Sequence, residues 1–110
     1  MRISAYRDMT TLSNERAHLV ASRAPALGDP TRVRILSVLG HGRQAVGQIA
    51  AAVETRQSTA SKHLQVLYHA GLVQRRRDAS AVFYWLTSSD VLRCCRVLAS
   101  RKFNAKPRTR

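Results

Sequence analysis

The sequence predicts a mostly α-helical domain carrying one small β-hairpin, and three observations lead there. Residues 57–72 read as a helix with an apolar stripe and a polar face, closed by Gly71. The segments 31–39, 46–53 and 91–98 carry their apolar residues on helical faces. Residues 72–86 break that pattern with two short runs around a small polar turn. At 110 residues there is room for one domain, and 45% hydrophobic content is enough to pack its core. Aromatics make up only 5% of the chain, so that core must be built from Leu, Val, Ile and Ala.

Taken in order, residues 1–12 form a flexible basic leader. A first helix over 13–23 holds Leu19 and Val20, with Leu12 just before it, and its role is packing or dimerisation. Ser13 and Arg16 supply no capping box, so its start is unmarked. Residues 25–30 are a break, ending in Asp29 as N-cap and Pro30 at the first helical position. In the helix that follows, over 31–39, Val33, Ile35, Leu36, Val38 and Leu39 cover a wide arc and should be buried. Gly40 and Gly42 end it. A short helix with Val46, Ile49, Ala50 and Val53 leads through a turn at 54–56 into residues 57–72.

In that stretch Ala60, Leu64, Leu67 and Ala70 point one way, and Gln57, Ser58, Ser61, Lys62 and Gln65 the other. Two short helices with a tight turn between them, the second polar-faced, make a helix-turn-helix. Residues 72–77 and 82–86 are strands and 78–81 the turn, with Arg75, Arg76 and Arg77 at the hairpin tip. Thr87 or Ser88 caps a last helix containing Val91, Leu92, Cys95, Val97 and Leu98. Residues 101–110 are a basic tail that frays. A hairpin directly after a helix-turn-helix is a wing. The predicted fold is therefore a winged helix-turn-helix, α-α-α-α-β-β-α, over residues 13–100.

A net charge of +13 calls for a polyanionic partner, either nucleic acid or an anionic membrane surface. The outer face of 57–65 favours nucleic acid, because hydroxyls, amides and one cation suit base edges and phosphates. No apolar run reaches the length of a membrane span, and no hydrophobic core of a signal peptide is present, so the expected location is the cytoplasm. Cys94 and Cys95, being adjacent, give no disulfide framework. An enzyme is not expected. Ser58 and Ser61 lack a paired acid and base, the six acidic residues are scattered, and no Gly-rich phosphate loop occurs. The leading reading is a sequence-specific regulator of double-stranded DNA. The alternative is a non-specific nucleic-acid-binding architectural protein, resting on the charge and the basic tail.

The run ALGDPTRVRIL at Ala26 to Leu36, followed by STASKHL at Ser58 to Leu64 and AGLV at Ala70 to Val73, resembles the ArsR/SmtB family of bacterial repressors. The resemblance covers about residues 24–100 and keeps the motifs in order. It implies a homodimer made through the first and last helices. It also implies binding to an inverted-repeat operator on the bacterial nucleoid, lost when a metal ion or reactive species binds. Carried over, Gln57, Ser58, Thr59, Ser61, Lys62, His63 and Gln65 fall on the operator-reading helix, and Arg75, Arg76 and Arg77 on wing positions that reach phosphate. His63 either touches DNA or orients a neighbouring group. Arg56 stands where the family often has a serine N-cap, with Thr55 as a substitute, and Glu54 replaces a common glycine.

The family's two familiar metal sites do not carry over. The cysteine pair before the reading helix aligns with Ala45 and Gly47. The last-helix ligands align with Ser88 and Asp90 and, near the end, Arg101 and Asn104; of these only Asp90 can coordinate. Three routes to control stay open. Cys94 and Cys95 lie about 100° apart on a helix and can approach their mates across a dimer axis. Arg93 and Arg96 would lower their pKa, favouring a thiophilic metal, an oxidant or a persulfide. The bland alternative is that Cys95 fills core. His18 with Asp90 offers imidazole and carboxylate donors for Zn or Ni. Finally, an effector-sensing partner protein could hold the switch.

Overall fold

Five α-helices and a three-stranded sheet make up residues 11–103, the part of the chain that this computed structural model describes. Most of the predicted leader and tail therefore lies outside the described residues. Helix α1, Asn14–Arg23, starts at Ser13, whose hydroxyl accepts from the Arg16 amide at 3.1 Å. That is a one-sided cap, which is why the capping-box test on the sequence missed it. None of its residues is buried, and it packs chiefly against the 3-10 turn Ala24–Leu27 that follows. The segment expected to be a plain break thus contains a turn of helix, with Pro25 in its first turn and Ala26 buried.

Helix α2, Pro30–Leu39, is the centre of the packing. The Asp29 carboxylate caps it by accepting from the Arg32 amide, and Pro30 occupies the first turn, as expected. Ile35, Leu36 and Leu39 are fully buried, whereas Val33 and Val38 are half-buried. At its end a side chain on Gly40 would meet Leu92 Cδ2 at 2.5 Å, so the last helix nests directly on this backbone.

Strand β1, Gln44–Ala45, is an addition to the predicted elements. It pairs with β3 through Gln44↔Tyr84 and Ala45↔Phe83, giving a sheet in the order β1-β3-β2. Two residues are too few for any periodicity, so the sequence carried no signal for it. Helix α3, Val46–Ala52, follows at once, with Gln48 Oε1 accepting from the Ala45 amide at 2.8 Å. Glu54 then turns the chain at φ 57°, in the region where the family commonly has glycine. Thr55 does not cap the next helix, and the Arg56 side chain makes no capping bond either.

Because an L-residue at positive φ is strained by about 1–2 kcal/mol, Glu54→Gly is expected to stabilise the fold. After the added chain entropy of glycine, the net gain should be about 0.5–1 kcal/mol. A rise in the thermal unfolding midpoint checks this; a fall would mean that the Glu54 side chain contributes something the strain does not outweigh.

Helix α4, Gln57–His69, buries Ala60, Leu64 and Leu67 and leaves Ala70 half-buried as its C-cap. Gly71 at φ 81° closes it: its amide bonds the Tyr68 carbonyl, and the Leu72 amide bonds the Leu67 carbonyl. That pair of bonds is a Schellman motif. Strands β2, Val73–Asp78, and β3, Ala81–Leu86, pair in register from Val73↔Leu86 to Asp78↔Ala81. The turn is only Ala79 and Ser80, with Ala79 at φ 57°. The three arginines expected at the tip therefore sit within β2, and the tip itself is uncharged apart from Asp78 beside it.

Helix α5, Ser89–Leu98, takes Ser88 rather than Thr87 as its cap. It buries none of its residues fully; Val91 and Cys95 pack on the core and Leu92 against Gly40, while Val97 and Leu98 stay exposed. A further 3-10 turn at Arg101–Phe103 occupies the start of the predicted tail. The core is Leu, Ile, Val and Ala with one aromatic, Tyr84, and the described residues include no buried charged side chain.

Candidate nucleic-acid interface

The inward stripe of α4 fixes the direction of everything else on that helix. With Ala60, Leu64 and Leu67 locked in the core, Gln57, Ser58, Lys62 and Gln65 are exposed and Ser61 and Thr59 half-exposed. No side chain caps the helix start, so the first-turn amides face outward with the positive end of the helix dipole.

Pleating divides the three wing arginines. Arg75 lies opposite Tyr84 and Arg77 opposite Val82, on the face turned toward α4, whereas Arg76 lies opposite Phe83 on the other face. Between α4 and the hairpin runs a cleft. One part is lined by Gln57, Ser58, Ser61, Arg77 and Ser80, the other by Ser61, Gln65, Tyr68 and Tyr84 with all three arginines, Arg76 included, and Val46 and Val82 form an apolar floor to both. Hydroxyls and amides form one wall and cations the other.

Arg75 is not a loose wing cation. Its guanidinium carbon stacks 3.9 Å from the Tyr68 ring centroid, and it donates to the Tyr84 hydroxyl at 3.5 Å. The Tyr84 hydrogen bond is the main reason its pKa is raised above the ordinary arginine value. Arg43 plays a similar part on the outer face, 5.0 Å from the Phe83 centroid and 5.2 Å from that of Trp85. Tyr68 had a readable signal, since Ser61, Gln65 and Tyr68 share one face at i, i+4 and i+7. Arg43 had none, because its partners come from a distant strand.

His63 is the one proposed reading-helix residue that turns away from the polar face. It is half-buried and approaches Asp29 and Arg32 at the start of α2.

Comparison with known proteins agrees with this geometry. A helix-turn-helix domain family matches residues 27–76. The biofilm growth-associated repressor of Agrobacterium fabrum is 36% identical over 84 residues, covering 76% of this chain and 72% of that one. A transcriptional repressor SmtB homolog of Synechocystis is 33% identical over 88 residues, 80% of this chain and 67% of that one. The chain belongs to the ArsR/SmtB family. The solution structure of Mb0332 from Mycobacterium bovis, a homodimeric winged helix-turn-helix DNA-binding domain, superposes with a TM-score of 0.72. It is 31% identical and covers 92% of this chain and 99% of its own. This ArsR/SmtB chain is thus a winged-helix, DNA-binding transcriptional regulator.

Within one chain, the sensing positions of this ArsR/SmtB protein bring no set of metal ligands together among the described residues. Ala45 and Gly47 have no donor atoms, and Asp90 is engaged by Arg93, which holds its carboxyl below the usual aspartate range. His18 is exposed on α1. Among the described residues, no group of three or more His, Cys, Asp or Glu side chains lies close enough to share an ion. Asn104 lies outside them.

One of the two cysteines differs from the expected lowered pKa. Cys95 is half-buried beside Leu27, Val33 and Leu98, and burial, with a smaller push from Cys94, raises its thiol pKa rather than lowering it. Its partial burial sets Cys95 against the core with Leu27 and Val33. Cys94 is exposed. Among the described residues, no helix is long and apolar enough to cross a membrane.

Proposed function

We propose that this chain is a homodimeric repressor, each protomer presenting the polar face of α4 to the major groove of one half of an inverted-repeat operator. The observation that carries the reading is the cleft, with hydrogen-bonding side chains on α4 and Arg77 on the facing strand. A major groove admits an α-helix, and seating α4 there leaves the adjoining phosphate strand between helix and hairpin. Ser61, Lys62 and Gln65 then meet base edges, with Gln57, Ser58 and Thr59 on phosphate beside the helix N-terminus. Arg77 and Arg76 take phosphate from the wing, and Arg75 holds the wing to α4 through Tyr68.

Dimerisation is supported by apolar side chains that the single chain leaves uncovered. Leu19 and Val20 on α1, and Val97 and Leu98 on α5, are between 42% and 54% exposed. Release would run either through Cys94, exposed on α5, toward a thiol-reactive species, or through a partner protein that carries the effector site.

Operator binding measured by anisotropy across a salt series tests the contact roles. Ser61→Ala should lower operator affinity roughly tenfold while leaving unrelated DNA nearly unaffected. Arg77→Ala should weaken both alike and reduce the slope of log K against log salt by about 1 for each protomer. A wild-type footprint that is uniform, with no discrete half-sites, would replace this reading with non-specific coating.

A further inference from the structure

We infer that Arg32 and His63 are positioning residues that set the attitude of the reading helix by tying it to the segment leaving α1. The inference rests on the function proposed above and deepens it.

Arg32 is the side chain that touches both parts. Its Nε donates to the Ala26 carbonyl at 2.8 Å, and its second amino group to the Pro25 carbonyl at 3.4 Å. The remaining guanidinium nitrogen faces His63 Nδ1 at 3.3 Å. An arginine has donors only, so Nδ1 accepts and Nε2 carries the ring hydrogen. That nitrogen lies 3.8 Å from Asp29 Oδ2, the same oxygen that caps α2 through the Arg32 amide. The imidazole of α4 is therefore bonded on one side by the Arg32 guanidinium and faces the Asp29 carboxylate on the other, both from the start of α2.

The chemistry of the parts explains why these residue types stand here. Only a planar fork can serve two backbone carbonyls and an imidazole from fixed directions at once; a lysine ammonium on a flexible stem can satisfy one of them well. The inner stripe of α4 fixes which face of the helix turns inward, but Leu and Ala contacts are non-directional and set its fine tilt and rotation less sharply than a hydrogen bond does. A hydrogen-bonded side chain from the middle of the helix supplies that direction. Since the 3-10 turn continues straight from α1, a rotation of α1 pulls on the Pro25 and Ala26 carbonyls and reaches His63 through a single side chain.

The experiment compares His63→Leu, His63→Asn and Arg32→Lys with wild type for operator affinity, salt slope and dimer state. Asparagine keeps an acceptor close to the place of Nδ1, so His63→Asn should retain most of the affinity that His63→Leu loses. His63→Leu and Arg32→Lys should each weaken operator binding roughly tenfold, with binding to unrelated DNA, the salt slope and the dimer all unchanged. Neither substitution changes formal charge relative to a neutral imidazole or a cation, so a slope reduced by about 1 would identify a direct phosphate contact and overturn the inference. Wild-type affinity in both variants would overturn it as well. Failure of the wild type itself to protect half-sites would instead defeat the proposed function, and unfolding of His63→Leu leaves Arg32→Lys and His63→Asn to decide the matter.

Discussion

Leu64→Ala is expected to reduce the free energy of unfolding by about 3 kcal/mol, within the range of about 2–5 kcal/mol for truncating a buried leucine. Leu64 has no exposed surface and lies in the core cluster with Ile35, Leu36, Ile49 and Leu67. Its removal opens a cavity where α4 meets α2, and close-packed neighbours relax only partly into such a space. Urea unfolding at fixed protein concentration would read the loss as a lower midpoint with an unchanged slope. A loss below about 1 kcal/mol would mean that the inner stripe of α4 is not packed as described. The same helix then divides cleanly: inner residues govern how much protein is folded, and outer residues govern how tightly folded protein holds DNA.

Leu98→Glu should convert the dimer to a monomer and lower affinity for a full operator by about a hundredfold or more. Linking two half-site contacts raises avidity by about 10²–10⁴ without any new contact, and separating the protomers forfeits that gain. Leu98 is 54% exposed in the single chain, so a carboxylate there costs the isolated fold little, whereas an apolar seam would have to desolvate it. Sedimentation would report the monomer, and binding to an isolated half-site would stay close to wild type. A variant that remains dimeric and keeps its operator affinity would place the seam elsewhere than on α5.

Much of this protein could be read before its coordinates. The helices came from apolar spacing, and the cap at Asp29–Pro30 and the closing glycine at Gly71 came from residue types that few other backbone positions favour. The polar face of α4 was legible for the same reason, since it is what remains once Ala60, Leu64 and Leu67 are turned inward. What escaped were features made by distant parts of the chain. Strand β1 exists because β3 offers it an edge, not because Gln44 and Ala45 prefer to be extended. The Tyr68–Arg75 stack and the Arg32–His63 bridge join residues that no local pattern connects. The direction of the Cys95 pKa was not legible either: the sequence displays Arg93 and Arg96 beside it but hides Leu27 and Val33, which partly cover it and push the thiol pKa up.

The pleat of β2 gives its arginine triplet a property that a count of charges conceals. Arg75, Arg76 and Arg77 are chemically identical, yet each has its own address: one against a tyrosine, one paired with Phe83 on the other side of the pleat, one across the cleft from Gln57 and Ser58. Because side chains alternate with a period of two, a register slip of one residue would readdress all three. Arg76 would swing to the inner face, and both neighbours would leave it. The two-residue turn at Ala79 and Ser80 is what forbids that slip, so the shortest and least charged part of the wing decides which arginine speaks to what.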